Sequence, residues 1–244
     1  MNIVIVIRTL LSYVLVAFVA ILFIIPFFIV ALLPKRYRYD NRFFFKLLYF
    51  FYRMVLLCTF MPLRVVGCER VPTQPAIFVG NHQSSLDIPC MGILVRGAPH
   101  VWLALSFYAR KPLIGFFIRR MNIPVDRDDT SNAAKALLKT INFVTEHHSH
   151  LMMFPEGTRR IDGEVHDFFD GFAMIAQKTK RPVVPVFMPT NGLIYPPEHF
   201  WMYWHPIEII IGQPIDHQAG ETAEQFKDRV KSWFDEQYRT HKGS

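Results

Sequence analysis

Charge is missing from the first part of this chain. From residue 9 to residue 33 the sequence TLLSYVLVAFVAILFIIPFFIVALL holds no Asp, Glu, Lys, Arg or His. Cysteine is also scarce. Cys58, Cys68 and Cys90 are three, odd in number and scattered, without metal-ligand spacing, which excludes a disulfide scaffold and fits a reducing compartment. The chain has no Gly-x-Ser-x-Gly nucleophile elbow. It has no internal repeat and no low-complexity linker, and its basic residues form no stripe on one element, which argues against nucleic acid. At 244 residues it has room for one good-sized domain and an appendage, not for two large domains.

What is present is apolar and basic. Half of the residues are apolar (51%), and the formal net charge is +7. About 25 uncharged residues, at ~1.5 Å each, cover roughly 37 Å, enough for a hydrocarbon core of about 30 Å. The run is too long for a secretory signal and lacks a small-residue cleavage site. Pro26 removes a helix hydrogen bond and favours a kink, so both a spanning helix and a re-entrant one fit. Lys35, Arg36, Arg38 and Arg42 follow at once. By the positive-inside rule they belong on the cytoplasmic side of a membrane, with everything after them. Anionic lipid headgroups account for the net charge. Residues 42–62 form a second apolar block in which Lys46 and Arg53, seven apart, share a helix face. That block reads either as an interfacial helix or as one buried on its own domain.

From residue 63 onward short β-rich runs alternate with helical ones. Strands are expected at 75–79, 101–105, 121–125, 151–154, 183–188 and 208–211. Helices are expected at 84–95, around 112–120, at 131–147 and at 169–179. Phe226, Val230, Trp233 and Tyr238 mark an amphipathic helix near the C-terminus. Such alternation predicts an α/β fold: a single mixed, largely parallel sheet flanked by helices, behind an N-terminal membrane-binding helical segment. The expected division is residues 1–62 for the membrane-anchoring helices and 63–244 for the α/β domain.

Two loops at strand ends hold the residues suited to chemistry. The first is Asn81-His82-Gln83-Ser84-Ser85-Leu86-Asp87. In a regular helix Asp87 would be turned about 140° from His82. The two meet only if His82 lies in the turn before a helix and Asp87 in its first turn. The carboxylate would then fix the imidazole tautomer and leave the other ring nitrogen able to take a proton. Ser84 to Asp87 also matches a capping box, which needs no catalysis and is compatible with the pair. The second loop is Phe154-Pro155-Glu156-Gly157-Thr158-Arg159-Arg160. Gly157 would allow close backbone approach and Arg159 offers a planar fork for phosphate, although a plain surface turn has the same composition. Val125-Asp126-Arg127-Asp128 reads as a ligand site or as a local ion-pair cluster. Glu146-His147-His148-Ser149-His150 lies at an expected helix end, where exposed histidines suit the dipole, and no metal site is expected. The aromatic run from Phe200 to Trp204 suits lipid contact or simple packing.

NHQSSLD, VDR, FPEGTRR and RPVVPV, in this order and spacing, resemble the four motif blocks of the glycerolipid acyltransferase family, whose familiar members are bacterial 1-acyl-glycerol-3-phosphate acyltransferases. The likeness covers roughly residues 67–214. It implies transfer of a fatty acyl group from an acyl-CoA or acyl-carrier-protein thioester to the sn-2 hydroxyl of 1-acyl-glycerol-3-phosphate (lysophosphatidic acid), giving phosphatidic acid. The resemblance makes His82 the general base and Asp87 its orienting partner. Arg127, Glu156, Gly157, Thr158 and Arg159 would line the site for the phosphorylated headgroup. No acyl-enzyme, metal or cofactor is implied, and the expected partners are membrane lipids, the lysophospholipid acceptor and the acyl donor. In the same resemblance Asp170 replaces a usual basic residue, Ser106-Phe107 replaces a lysine-glutamate pair, and Arg160 stands where serine is common. Those departures bear on the acceptor, so another lysophospholipid or lipid hydroxyl is the alternative. A lipid hydrolase and a non-catalytic membrane module are the readings from other classes.

Overall fold

The computed structural model describes residues 2–112, 114–126, 129–162 and 166–241. The uncharged run forms one helix, α1 (Ile3–Leu32), which continues through Pro26. At ~1.5 Å per residue its 30 residues measure roughly 45 Å, long and apolar enough to cross a membrane. A single turn, α2 (Lys35–Arg38), leads to α3 (Arg42–Leu57), whose Asn41 cap accepts from the Phe44 amide.

α1 does not project away from the rest of the chain. Near its start Arg8 Nη2 donates to the Met202 carbonyl at 3.0 Å, and near its end Arg120 Nε donates to the Ala31 carbonyl at 2.8 Å. Between them Phe23 and Phe27 pack on Phe44 and Phe51 of α3. α3 packs on its own domain along one face and leaves the other outward. Phe44, Phe45, Tyr52 and Leu56 are buried against the domain, while Phe43, Phe50 and Leu57 face outward beside the exposed Lys46 and Arg53.

The domain is one seven-stranded mixed sheet. Its strands are β1 (Leu63–Val66), β2 (Ile77–Gly80), β3 (His100–Leu105), β4 (Ile123–Val125), β5 (His150–Met153), β6 (Val183–Phe187) and β7 (Ile207–Ile211), in the order β1-β7-β6-β2-β5-β3-β4. All neighbours are parallel except β6 and β7. Interior strands are covered on both faces, so β2 and β6 are unbroken apolar runs and β5 is one after His150. Alternation along them builds two cores. Ile77, Val79, Leu151 and Val183 face Phe172, Phe226 and Phe234. Phe78, Met152 and Val184 face Met91, Leu94 and Ile194.

The first face carries α7 (Thr130–Glu146), α8 (Gly171–Thr179) and α10 (Ala223–His241); the second carries α4 (Asp87–Gly92) and α9 (Asn191–Ile194). The helix expected at 84–95 is cut to α4 because residues 81–86 are used to build the site. The helix expected around Pro112 is two: α5 (Ser106–Ala109) and α6 (Ile114–Met121), the second starting just past the proline. His150 is not an exposed helix-end histidine. It begins the buried β5, and its Nδ1 accepts from the Ala76 amide at 3.1 Å. Among the described residues no three His, Cys, Asp or Glu side chains converge as metal ligands.

Because β2 and β5 are parallel and in register (Ile77↔Leu151, Val79↔Met153), the loops that follow them leave the same edge side by side. Strand ends of α/β sheets are where ligands bind, and this pairing joins two motifs about seventy residues apart.

Candidate active site

His82 lies in the turn after β2 and Asp87 at the start of α4, the one arrangement in which they can meet. His82 Nδ1 is 2.8 Å from Asp87 Oδ2. The same oxygen accepts from the Gln83 amide at 2.7 Å and the Ser84 amide at 2.8 Å, and Asp87 Oδ1 accepts from Asn191 Nδ2 at 2.8 Å. A wholly buried carboxylate thus has four donors, which is what a charge out of water requires. The expected cap is present in part: Asp87 reaches back to the Ser84 amide, while Ser84 Oγ accepts from the Leu86 amide and donates to the Tyr195 carbonyl.

A carboxylate can only accept, so the neutral ring holds its proton on Nδ1 and leaves Nε2 as the basic nitrogen. The ring stacks on Phe154 with centroids 4.0 Å apart and planes 5° from parallel, which fixes its tilt. The two loops are also tied by main chain, the Arg160 amide donating to the His82 carbonyl at 2.8 Å.

The FPEGTRR residues go different ways. Gly157 has φ of +68°, left-handed backbone that a β-carbon would strain. Gly157 and Arg159 line the same cavity as His82 and Ser85, and Arg159 Nη1 donates to Ser85 Oγ at 3.1 Å. Glu156 turns inward and is buried, away from that wall. Burial first, then the charges of Asp87 and Asp162, push its pKa up to about 8 against the pull of the His82 amide and Arg160. Glu156 is therefore mostly a neutral acid at pH 7. Thr158 is exposed and outside the cavity wall. Arg127 lies outside the described residues; its neighbour Asp126 accepts from Ser106 Oγ at 2.9 Å and from Arg110 Nη2 at 3.2 Å.

The cavity holds about 720 Å³ and is mostly apolar, with Leu103, Leu137, Phe154 and Met174 in its walls. Asp170 is also on its rim and is paired with Lys227 of α10 at 2.8 Å.

The supporting roles of three residues escaped the sequence reading. Asn81 bonds both main-chain groups of Met188, tying the end of β2 to that of β6. The Tyr238 hydroxyl of α10 accepts from Asn81 Nδ2 and Gln83 Nε2, each at 3.4 Å. Asn191 donates to Asp87 from more than a hundred residues away. Pro189-Thr190-Asn191-Gly192 has only the composition of a turn, and no local signal marks it as a partner of the carboxylate.

The site sets a ring nitrogen, beside a buried carboxylate, on a mostly apolar cavity with an arginine in its wall, within an α/β protein. The chain belongs to the acyltransferase family, whose model, described as Acyltransferase, matches residues 62–189. A chloroplastic 1-acyl-sn-glycerol-3-phosphate acyltransferase of Brassica napus is 32% identical over 155 residues, 62% of this chain and 44% of that one. The protein of the same name from Pseudomonas aeruginosa is 26% identical over 237 residues, 94% of this chain and 90% of that one. The 1-acyl-sn-glycerophosphate (LPA) acyltransferase of Thermotoga maritima superposes with a TM-score of 0.77 over 98% of both chains at 24% identity, a likeness of fold. Against its plant relatives the chain spans about half of their length, 44% in Brassica napus and 62% in Limnanthes douglasii.

Proposed function

We propose that this protein transfers a fatty acyl group from a thioester of coenzyme A or acyl-carrier protein to the sn-2 hydroxyl of 1-acyl-glycerol-3-phosphate. The observation that carries the reading is the His82–Asp87 pair at 2.8 Å, turned with Arg159 toward a large apolar cavity. Nε2 of His82 accepts the hydroxyl proton as the oxygen attacks the thioester carbonyl. The tetrahedral intermediate collapses, the carbon–sulfur bond breaks, and the imidazolium returns its proton to the thiolate. Asp87 stabilises the imidazolium and holds the ring. General-base help is worth about 10²- to 10⁴-fold, with the rest supplied by orientation and by donors to the developing oxyanion. Arg159 pairs with the phosphate of the acceptor, and the apolar walls take an acyl chain.

The N-terminal helices fit a lipid-bound enzyme. α1 turns Ile, Leu, Val and Phe side chains outward along its length, and fastening to the domain at both ends favours a helix lying within the lipid surface over one that crosses it. The exposed Lys35, Arg36 and Arg42 suit anionic headgroups on the cytoplasmic side. Asp170 on the cavity rim favours, as a second reading, a lysophospholipid whose headgroup is not phosphate alone. A donor-by-acceptor matrix with products read by mass spectrometry tests both. Phosphatidic acid formed from lysophosphatidic acid is expected; thioester or ester hydrolysis without lipid product would overturn the transfer reading.

A further inference from the structure

The first half of α1 has its polarity reversed relative to a helix in water. Thr9 and Ser12 are fully buried, whereas Ile7, Leu10 and Val14 are 59%, 47% and 65% exposed. Residues 8, 9, 12 and 13 share one face of the helix. That face is turned onto the segment 191–204. Arg8 donates to the Met202 carbonyl at 3.0 Å, and Thr9 Oγ1 accepts from the Met202 amide at 3.1 Å. The Tyr13 hydroxyl donates to the Phe200 carbonyl at 2.7 Å and lies 3.1 Å from the Tyr195 hydroxyl, with the Tyr13 ring tilted on Phe200.

The opposite side of the same segment touches the site. Asn191 Nδ2 donates to Asp87 Oδ1 at 2.8 Å, the Gly192 amide to Gln83 Oε1 at 3.3 Å, and Ser84 Oγ to the Tyr195 carbonyl at 2.8 Å. Within it the Tyr195 amide donates to the Asn191 carbonyl at 3.0 Å. α9, which carries Asn191, is a helix of one turn. One turn is marginal by itself and takes its position from what it is tied to. Tyr195 is the shared member, bonded to α1 through its ring hydroxyl and to the catalytic loop through its carbonyl.

We propose that α1 is a positioning element for Asp87 as well as an attachment to lipid. Its polar face holds the 191–204 segment where the Asn191 amide meets the carboxylate, and Arg8, Thr9 and Tyr13 are positioning residues that act through Asn191. This rests on the reading of His82 and Asp87 as the reacting pair. A carboxylate that loses one of four donors shifts toward water or toward the ring, and errors of about 1 Å in such sites cost up to ~10²-fold in rate.

The test is a double-mutant cycle on the full chain in detergent micelles, where attachment to a bilayer does not limit turnover. Thr9→Val with Tyr13→Phe removes bonds of the polar face and leaves the outward side chains in place. The expected result is a fall in kcat of about tenfold with both KM values within about twofold. Asn191→Ala should cause a similar fall, and adding Thr9→Val/Tyr13→Phe to it should cost little more, because both act on one contact. Full multiplication of the two effects, or an unchanged kcat in the folded variant, would overturn the proposal. Hydrogen exchange of peptides covering 81–87 and 191–195 reads the same coupling without turnover: faster exchange in both is expected, and exchange equal to the parent's refutes it. If the double variant does not fold, Tyr13→Phe alone, which keeps the ring, is measured in the same way. A parent protein that forms no acylated lipid would count against the proposed reaction, while the exchange readout would still decide the role of α1.

Discussion

Replacing Asp87 by asparagine keeps the volume of a wholly buried side chain and removes its charge. The new side chain must keep an oxygen toward the three donors on Oδ2, namely His82 Nδ1, Gln83 N and Ser84 N. Its amide group then meets Asn191 Nδ2 where Oδ1 had accepted. Asn191 Oδ1 has no partner among the described residues, so a flip of the Asn191 amide turns an acceptor toward the new donor. The fold should survive, at a cost of about 1–3 kcal/mol. Catalysis should not. With charge centres about 4 Å apart and an effective dielectric near ~20, the Coulomb attraction between a carboxylate and a full positive charge on the ring is roughly 4 kcal/mol. That attraction is present only once the ring has taken the proton, so it belongs to the transition state. At ~1.4 kcal/mol per decade the expected loss in kcat is on the order of 10²- to 10³-fold, with acceptor KM little changed. Thiol release from the acyl donor under saturating lysophosphatidic acid measures it, alongside thermal unfolding. A folded Asp87→Asn protein with kcat within tenfold of the parent would refute general-base catalysis by this pair.

Arg159→Ala should raise acceptor KM by roughly ten- to a hundredfold, the range of a charge-assisted contact, and leave donor KM alone; steady-state titration of each substrate checks it. Glu156→Gln should become more stable relative to the parent as pH rises. The folded carboxyl keeps its proton to about pH 8 and the unfolded one releases it near 4.5, so the native state binds more protons between them and parent stability falls across that window. The difference, on the order of a few kcal/mol from pH 5 to 8, is read from urea unfolding of both proteins. Ala136→Leu narrows the cavity wall and should shift preference toward shorter acyl thioesters by several-fold, at about 1–3 kcal/mol of packing strain; competition between donors of two lengths decides it.

The interior strands β2, β5 and β6 were legible because burial on both faces makes them nearly continuous apolar runs, whereas β1, at the edge of the sheet and largely exposed, was not among the expected strands. The turn that joins His82 to Asp87 was legible through its geometry. A spacing of five forbids contact between His82 and Asp87 on a regular helix, so His82 had to lie in the turn before the helix and Asp87 in its first turn, as they do, although the helix expected from residue 84 starts only at Asp87. Short elements were less so. α5 and α9 are single turns whose conformations are imposed by neighbours. His150 was misread for a related reason: a histidine beside a helix end looks exposed until the pairing of β5 with β2 and β3 buries it.

The sequence alone determined a long apolar N-terminal helix and an α/β sheet, and placed the His82–Asp87 and FPEGTRR motifs at strand ends, since each depends on periodicity or spacing along a few residues. Tertiary structure decided how they act together. Parallel register between β2 and β5 set the two loops side by side. Burial turned Glu156 inward as a neutral acid while Arg159 reached the cavity. Asn191 was carried onto Asp87 and the polar face of α1 onto Tyr195 by chain segments more than a hundred residues distant. A donor for a buried carboxylate can come from anywhere that packing places it, and such packing leaves no periodic mark in the local sequence.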